Sequence, residues 1–231
     1  SLTTVGFTVR CGAFAQSKEY EGTIALLEHL FFKPTRNSPN REQYFDQLNL
    51  LGMETVSQAG QDFLQYSASF PKENLLSALR VFRESAENPA FDTLDILREK
   101  QNIARKIQRK EANPSFFLIQ DLQKQLWGNF SPRKNLTGNF SVINQTKSED
   151  LFAIHNRYFY PNNSLLTIIG DLNYTDAFLV ADSAFGKWKQ SSFDIYKQNP
   201  IPDPVSLKDP KFFSTVSEFA QEPAVVIAWQ G

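Results

Sequence analysis

Glu28 and His29 stand side by side in residues 22–33, Gly-Thr-Ile-Ala-Leu-Leu-Glu-His-Leu-Phe-Phe-Lys. A carboxylate next to an imidazole can orient a base, share a proton or hold a metal. Burying either group is costly unless it is paired, hydrogen-bonded or on a metal. The nearest metal pattern is H-x-x-E-H. There, two His at i and i+4 share a helix face and bind zinc, with the Glu beside them as general base. Here Ala25 stands at the i position, so the stretch is A-x-x-E-H, one ligand short. The bland reading of such a pair is a buried remnant satisfied by its neighbours.

The apolar residues around the pair, Ile24, Leu27, Leu30 and Phe31, recur at helical spacing and predict a buried helix. Residues 3–11 alternate and are β-rich, a strand ended by Gly12. A helix over 41–51 carries Tyr44, Phe45, Leu48 and Leu51 and stops at Gly52. Residues 53–58 and 62–70 read as an antiparallel hairpin. Pro71 opens a helix with Leu75, Leu79, Phe82 and Ala86 on one face. A long charged helix over 92–111 has Ile96, Ile103 and Ile107 as its seam, is broken at Asn113-Pro114 and resumes over 115–127. Residues 128–147 lack periodicity and read as a loop. A helix over 148–160, capped by Ser148 or Asp150, leads to a turn at 161–163 and a strand over 164–169. A last helix covers 174–185. Four prolines between 200 and 210 mark a linker, and 215–218 and 224–229 read as two more strands. Strands first and last with helices between them give an α+β fold, a mainly antiparallel sheet covered by helices.

The 231 residues carry a formal charge of −1, which leaves no electrostatic footprint for nucleic acid or a membrane surface. No apolar run approaches the ~20 residues of a membrane-spanning helix. One Cys, Cys11, excludes an internal disulfide and a Cys-rich metal site. Only two His are present, His29 and His155. His155, inside the 148–160 helix and away from any motif, reads as a core histidine. The chain opens within a strand and without Met, as a processed or truncated chain does, so the compartment cannot be read from its start.

Four stretches together resemble one family, the pitrilysin and mitochondrial-processing-peptidase zinc metallopeptidases, or inverted zincins. The first is Val9-Arg10-Cys11-Gly12-Ala13 leading to Gly22 and Leu27-Glu28-His29. The second runs from 91 to 114, with Arg98-Glu99-Lys100 early in the long helix and Arg109, Glu111, Asn113 and Pro114 closing it. The third is Ser148-Glu149-Asp150-Leu151 through Arg157-Tyr158-Phe159-Tyr160-Pro161-Asn162-Asn163, and the fourth is 165–171, a strand ending Gly-Asp. They cover most of residues 5–190. The resemblance implies one half-repeat of the processing-peptidase fold over 1–190 with its first strand missing. It also implies a Pro-rich linker over 191–214 and the opening strands of a second homologous domain over 215–231. With that strand missing, 3–11 is expected to sit at an edge of the sheet, filled by 224–229 or another chain.

The resemblance also implies a ligand set, and this sequence departs from it. Family zinc is held by both His of H-x-x-E-H and by a Glu seven residues after the acid that Glu99 matches. Ala25 replaces the first His and Lys106 the distal Glu; only His29 is kept. Seven residues is close to two helical turns, so Lys106 shares a face with Glu99. A methyl group cannot ligate and an ammonium repels Zn²⁺. Glu28 then reads as a remnant base and Glu99 as second-layer support or a helix-surface acid. Lys106 reads as a solvated charge or as a stand-in for the metal, paired with Glu28, Glu99 or both. Val56-Ser57 takes the place of the Asn-Ala expected on the strand edge that pairs with substrate.

The function implied is a non-catalytic peptidase-like subunit. It would pair, as a heterodimer, with a homologous catalytic subunit or a second half-domain and help to hold an extended peptide in a chamber, with no cofactor. The alternative is an active zinc endopeptidase with a shifted ligand set, for which the nearby sequence offers no replacement His.

Overall fold

The computed structural model describes residues 1–128, 138, 140–192, 206–214 and 223–229, together with 194, 197, 203 and 216. Among them, four strands form one antiparallel sheet in the order β2-β3-β1-β4. These are β1 (Leu2–Val9), β2 (Glu54–Ala59), β3 (Leu64–Pro71) and β4 (Ser164–Gly170). Strand β1 alternates as the sequence predicts. Thr3, Val5, Phe7 and Val9 are buried, and the residues between them are half-buried. Its register pairs Val5 with Ala68 of β3 on one side and with Ile168 of β4 on the other. Strand β1 is therefore central, not an edge. The long connection to β4 fills the side that the sequence reading left open, and β2 and β4 are the edges.

One face of the sheet is apolar and lies under helices α1 (Thr23–Leu30), α3 (Leu75–Glu87) and α8 (Tyr174–Phe185). Its centre is an aromatic stack in which Phe31 lies 3.7 Å from Tyr66, ring centre to ring centre, with Phe7 5.8 Å from Phe31. The opposite face mixes small and polar residues, Thr4, Gly6, Thr8, Ser67, Ser69 and Thr167, with the exposed apolar side chains of Val56, Leu165 and Ile169. Helices α2 (Arg41–Leu50), α4 (Thr93–Glu111), α5 (Pro114–Trp127), α6 (Phe140–Gln145) and α7 (Ser148–Tyr158) complete the α+β architecture.

Helix ends follow local chemistry. Asp92 accepts from the backbone N–H of Leu94 at 2.8 Å to start α4, and Asn113 accepts from Ser115 to start α5, with Pro114 in its first turn. Helix α7 begins as read, with Asp150 rather than Ser148 of the two named residues at work on its first turn. Asp150 accepts from the Lys147 backbone, while the Ser148 hydroxyl donates to the Phe91 carbonyl.

A second expectation fails. Residues 140–145 are a helix rather than loop; 129–137 and 139 lie outside the described residues. Six residues are too short to show a period, and α6 is held by one anchor, the fully buried Ile143. At 224–229 no strand pairing forms; most of 215–218 lies outside the described residues.

Candidate functional site

Helix α1 is fixed at both ends by groups outside it. Gly22, before its first turn, has φ 97°, a left-handed conformation that glycine adopts without strain. A Cβ there would also stand 2.6 Å from Ile143 Cδ1. With no side chain at that position to cap the helix, Gln16 does it from a distance. Its Oε1 accepts from the N–H of Gly22 at 2.7 Å and of Ile24 at 3.2 Å. At the other end the Tyr66 hydroxyl donates to the Leu27 carbonyl at 3.1 Å. That carbonyl is one of the orphan acceptors of the last turn. Burial drives the Tyr66 phenol far above its ordinary range, so it stays a donor. Ile24, Leu26, Leu27 and Leu30 are all but inaccessible, and the remaining face of α1 carries Glu28 and His29 against α4.

His29 is held through both ring nitrogens. Its Nδ1–H donates to Glu99 Oε2 at 2.8 Å, and Lys106 Nζ donates to its Nε2 at 2.8 Å. Glu99 and Lys106 thus meet the same imidazole from two turns of α4. Glu28 stands aside, with Oε1 3.9 Å from Nε2. Ala25, one turn back on α1, presents only its methyl group.

Glu99 is not a surface acid; it is 5% exposed. Burial by itself raises its pKa. Hydrogen bonds from His29, from Lys33 Nζ at 2.7 Å and from Asn102 Nδ2 at 2.8 Å, with the Lys33 charge, overcome that and hold it at about 2. Lys106 therefore pairs with neither carboxylate, contrary to the sequence expectation. The ammonium on Glu99 is Lys33. Its position four residues after His29 was the available signal: residues at i and i+4 of a helix share a face. Helix α1 ends at Leu30, but Phe31 keeps helical backbone angles and carries the chain in that direction. Asn102 was equally readable, three residues after Glu99 on one helix. Among the described residues, no group of three or more His, Cys, Asp or Glu side chains is placed to hold a metal.

His155 is a core residue, as its sequence position suggests. Its Nε2–H donates to the Ala86 carbonyl at 3.0 Å and its ring stacks on Phe159 at 4.3 Å. Burial lowers its pKa to about 4.

Comparison with known proteins settles the family. The model for insulinase (peptidase family M16) matches residues 1–138, more than half of the chain. This chain belongs to peptidase family M16. A second model, the peptidase M16 inactive domain, matches residues 146–231. Among curated relatives, this M16 chain is 24% identical over 177 residues to an uncharacterized zinc protease of Bacillus subtilis. That match covers 76% of this chain and 42% of the relative. It is 21% identical over 186 residues to the human mitochondrial-processing peptidase subunit beta, covering 80% and 38%. Among solved structures, a protease from Helicobacter pylori superposes with a TM-score of 0.74 at 21% identity, covering 88% of this chain and 48% of that one. The first half of the periplasmic protease PqqL from Escherichia coli gives 0.76 at 18%, covering 83% and 42%. The chain spans less than half the length of these relatives, and its fold is that of one M16 half.

Proposed function

We propose that this M16 chain is a non-catalytic, peptidase-like half. It pairs with a homologous catalytic chain or a second half-domain and helps to hold an extended peptide in the chamber between them. The observation that carries this is Lys106 Nζ at 2.8 Å from His29 Nε2. A metal on His29 needs a ring nitrogen with a free lone pair. Nδ1 carries the proton given to Glu99, and Nε2 faces an ammonium, which repels a divalent cation. Ala25 supplies no donor. Glu99 is committed to His29, Lys33 and Asn102. These residues do not fit a resident zinc. Glu28 and Glu99 read as a remnant base and its support, and His29 as a remnant ligand. Ala25 and Lys106 read as replaced ligand positions.

Two further features support the reading. Strand β2 is an edge, with Val56 63% exposed, and an extended peptide can add to such an edge through backbone hydrogen bonds. Val225, Ile227 and Trp229 are each at least 80% exposed, and they alternate as the face of an unpaired strand does. We assign 191–214 to a linker and 215–231 to the opening of a second half. The relatives fit a divided architecture: one is a subunit, and another was solved as a first half.

The test is a peptide-cleavage assay of the purified chain, alone and mixed with a catalytic M16 chain. The expected outcome is no cleavage alone and altered cleavage or peptide affinity in the mixture. Cleavage by this chain alone that EDTA abolishes and zinc restores overturns the proposal.

A further inference from the structure

We propose that Lys106 is the resident cation of this site, its ammonium holding the nitrogen of His29 that a metal would otherwise take. Lys106, His29, Glu99 and Lys33 then form a continuous, metal-free chain of contacts joining the end of α1 to α4. This rests on the reading above that the site holds no zinc, and goes beyond it by saying what replaced the metal. The geometry carries it. Lys106 Nζ lies 2.8 Å from Nε2, the nitrogen on the side of Glu28. Lys33 Nζ lies 2.7 Å from Glu99 Oε1, and Nδ1–H lies 2.8 Å from the other oxygen of the same carboxylate. One ammonium thus sits on the carboxylate and the other on the imidazole that the carboxylate holds, with Glu28 3.9 Å from the same ring nitrogen. Both ring nitrogens and both oxygens of Glu99 are thereby taken, and a dication would have to displace one of these partners to reach any of them. The nearby cations are engaged elsewhere: Arg41 pairs with Asp95, and Arg105 donates to Asn102. Lysine suits the part because its ammonium is a compact charge on a flexible stem, able to reach a ring nitrogen from two turns away.

The arrangement fixes a tautomer. His29 must carry its proton on Nδ1. His155 must carry its proton on Nε2, because that nitrogen donates to the Ala86 carbonyl. These are the only two histidines, so long-range ¹H–¹⁵N correlation spectra of the 231-residue chain at pH 8 read both directly. The expected result is one imidazole of each tautomer. In Lys106→Met the Nε2 signal of His29 should move toward that of a nitrogen accepting no hydrogen bond, with His155 unchanged. Zinc at a few equivalents should leave the parent His29 signals in place. The double variant Ala25→His, Lys106→Glu should bind one zinc and gain a zinc-dependent rise in Tm.

Finding His29 as the Nε2–H tautomer, or with a Nε2 signal indifferent to Lys106→Met, overturns this inference while leaving a zinc-free, inactive chain standing. Parent His29 signals that shift with one equivalent of zinc overturn both. If Lys106→Met fails to fold, the parent spectrum still decides.

Discussion

Glu99 keeps its charge while almost fully buried because three donors reach its two oxygens. The strongest consequence falls on Lys33, whose side chain is 20% exposed and sits on a carboxylate that is 7% exposed. Removing one partner of such a pair leaves a buried charge uncompensated. Lys33→Met should cost about 2–4 kcal/mol in denaturant unfolding. Lys106 is exposed and donates to a neutral ring, so Lys106→Met should cost about 1 kcal/mol or less. The reverse order would show that the cation on Glu99 has been misassigned. Acid sensitivity follows with its sign. Glu99 titrates at about 2 when folded against an ordinary 4.5, so its stabilisation is complete above 4.5 and is lost as the pH falls toward 2. His155 accepts a proton only near 4 when folded against 6.5 ordinarily, so stability also falls as the pH drops from 6.5 to 4. In that upper window the slope from His155 is about 1.4 kcal/mol per pH unit. His155→Gln should flatten the curve there, and an unchanged slope in that variant would contradict the account. At this scale the sequence was a good guide to which residues meet but not to which atoms pair. The shared face of Glu99 and Lys106 follows from helical spacing. That Lys106 stops at His29 while Lys33 takes Glu99 depends on how α1 ends.

Helix α1 is positioned by groups that its own sequence does not contain. Gln16, Tyr66 and Ile143 come from three other parts of the chain. Gly22→Ala should therefore be far more harmful than a glycine change in open space. It combines a positive φ with a contact at 2.6 Å from Ile143, and a loss of about 2 kcal/mol or more is expected in thermal unfolding. Gly6 has no positive φ and a Cβ there would meet only Thr167 Cβ at 3.8 Å, so Gly6→Ala should cost about 0.5 kcal/mol or less. Equal effects would mean that the approach of α6 to α1 is not tight. Elements with long or regular patterns were legible: β1 by alternation, α3 and α4 by their apolar seams, and α5 by Asn113-Pro114. Helix α6 was not, because a single buried Ile143 produces no period. The central place of β1 was not legible either, since strand order depends on the long return to β4, which no local pattern encodes.

At the scale of the whole molecule, one M16 half leaves apolar side chains without cover. Phe212, Val225, Ile227 and Trp229 are among the most exposed large hydrophobic residues. On the proposed reading these belong to the junction with a second half. Replacing Val225, Ile227 and Trp229 by Ser should then change unfolding stability by about 0.5 kcal/mol or less. The same change should weaken association with a catalytic M16 chain in analytical ultracentrifugation. A large loss of stability would instead make the segment part of this half's own core. The family was legible from four stretches in order, because a helix carrying Glu-His, a second helix crossing it and a strand ending Gly-Asp are a joint constraint. What such stretches cannot supply is metal occupancy, which depends on whether every lone pair at His29 is taken. The most direct measurement is therefore the zinc content of the purified 231-residue chain after exposure to excess zinc and removal of unbound metal. The account predicts substoichiometric zinc and a melting temperature indifferent to EDTA. One tightly held zinc per chain, with a melting temperature that falls when it is removed, would contradict it.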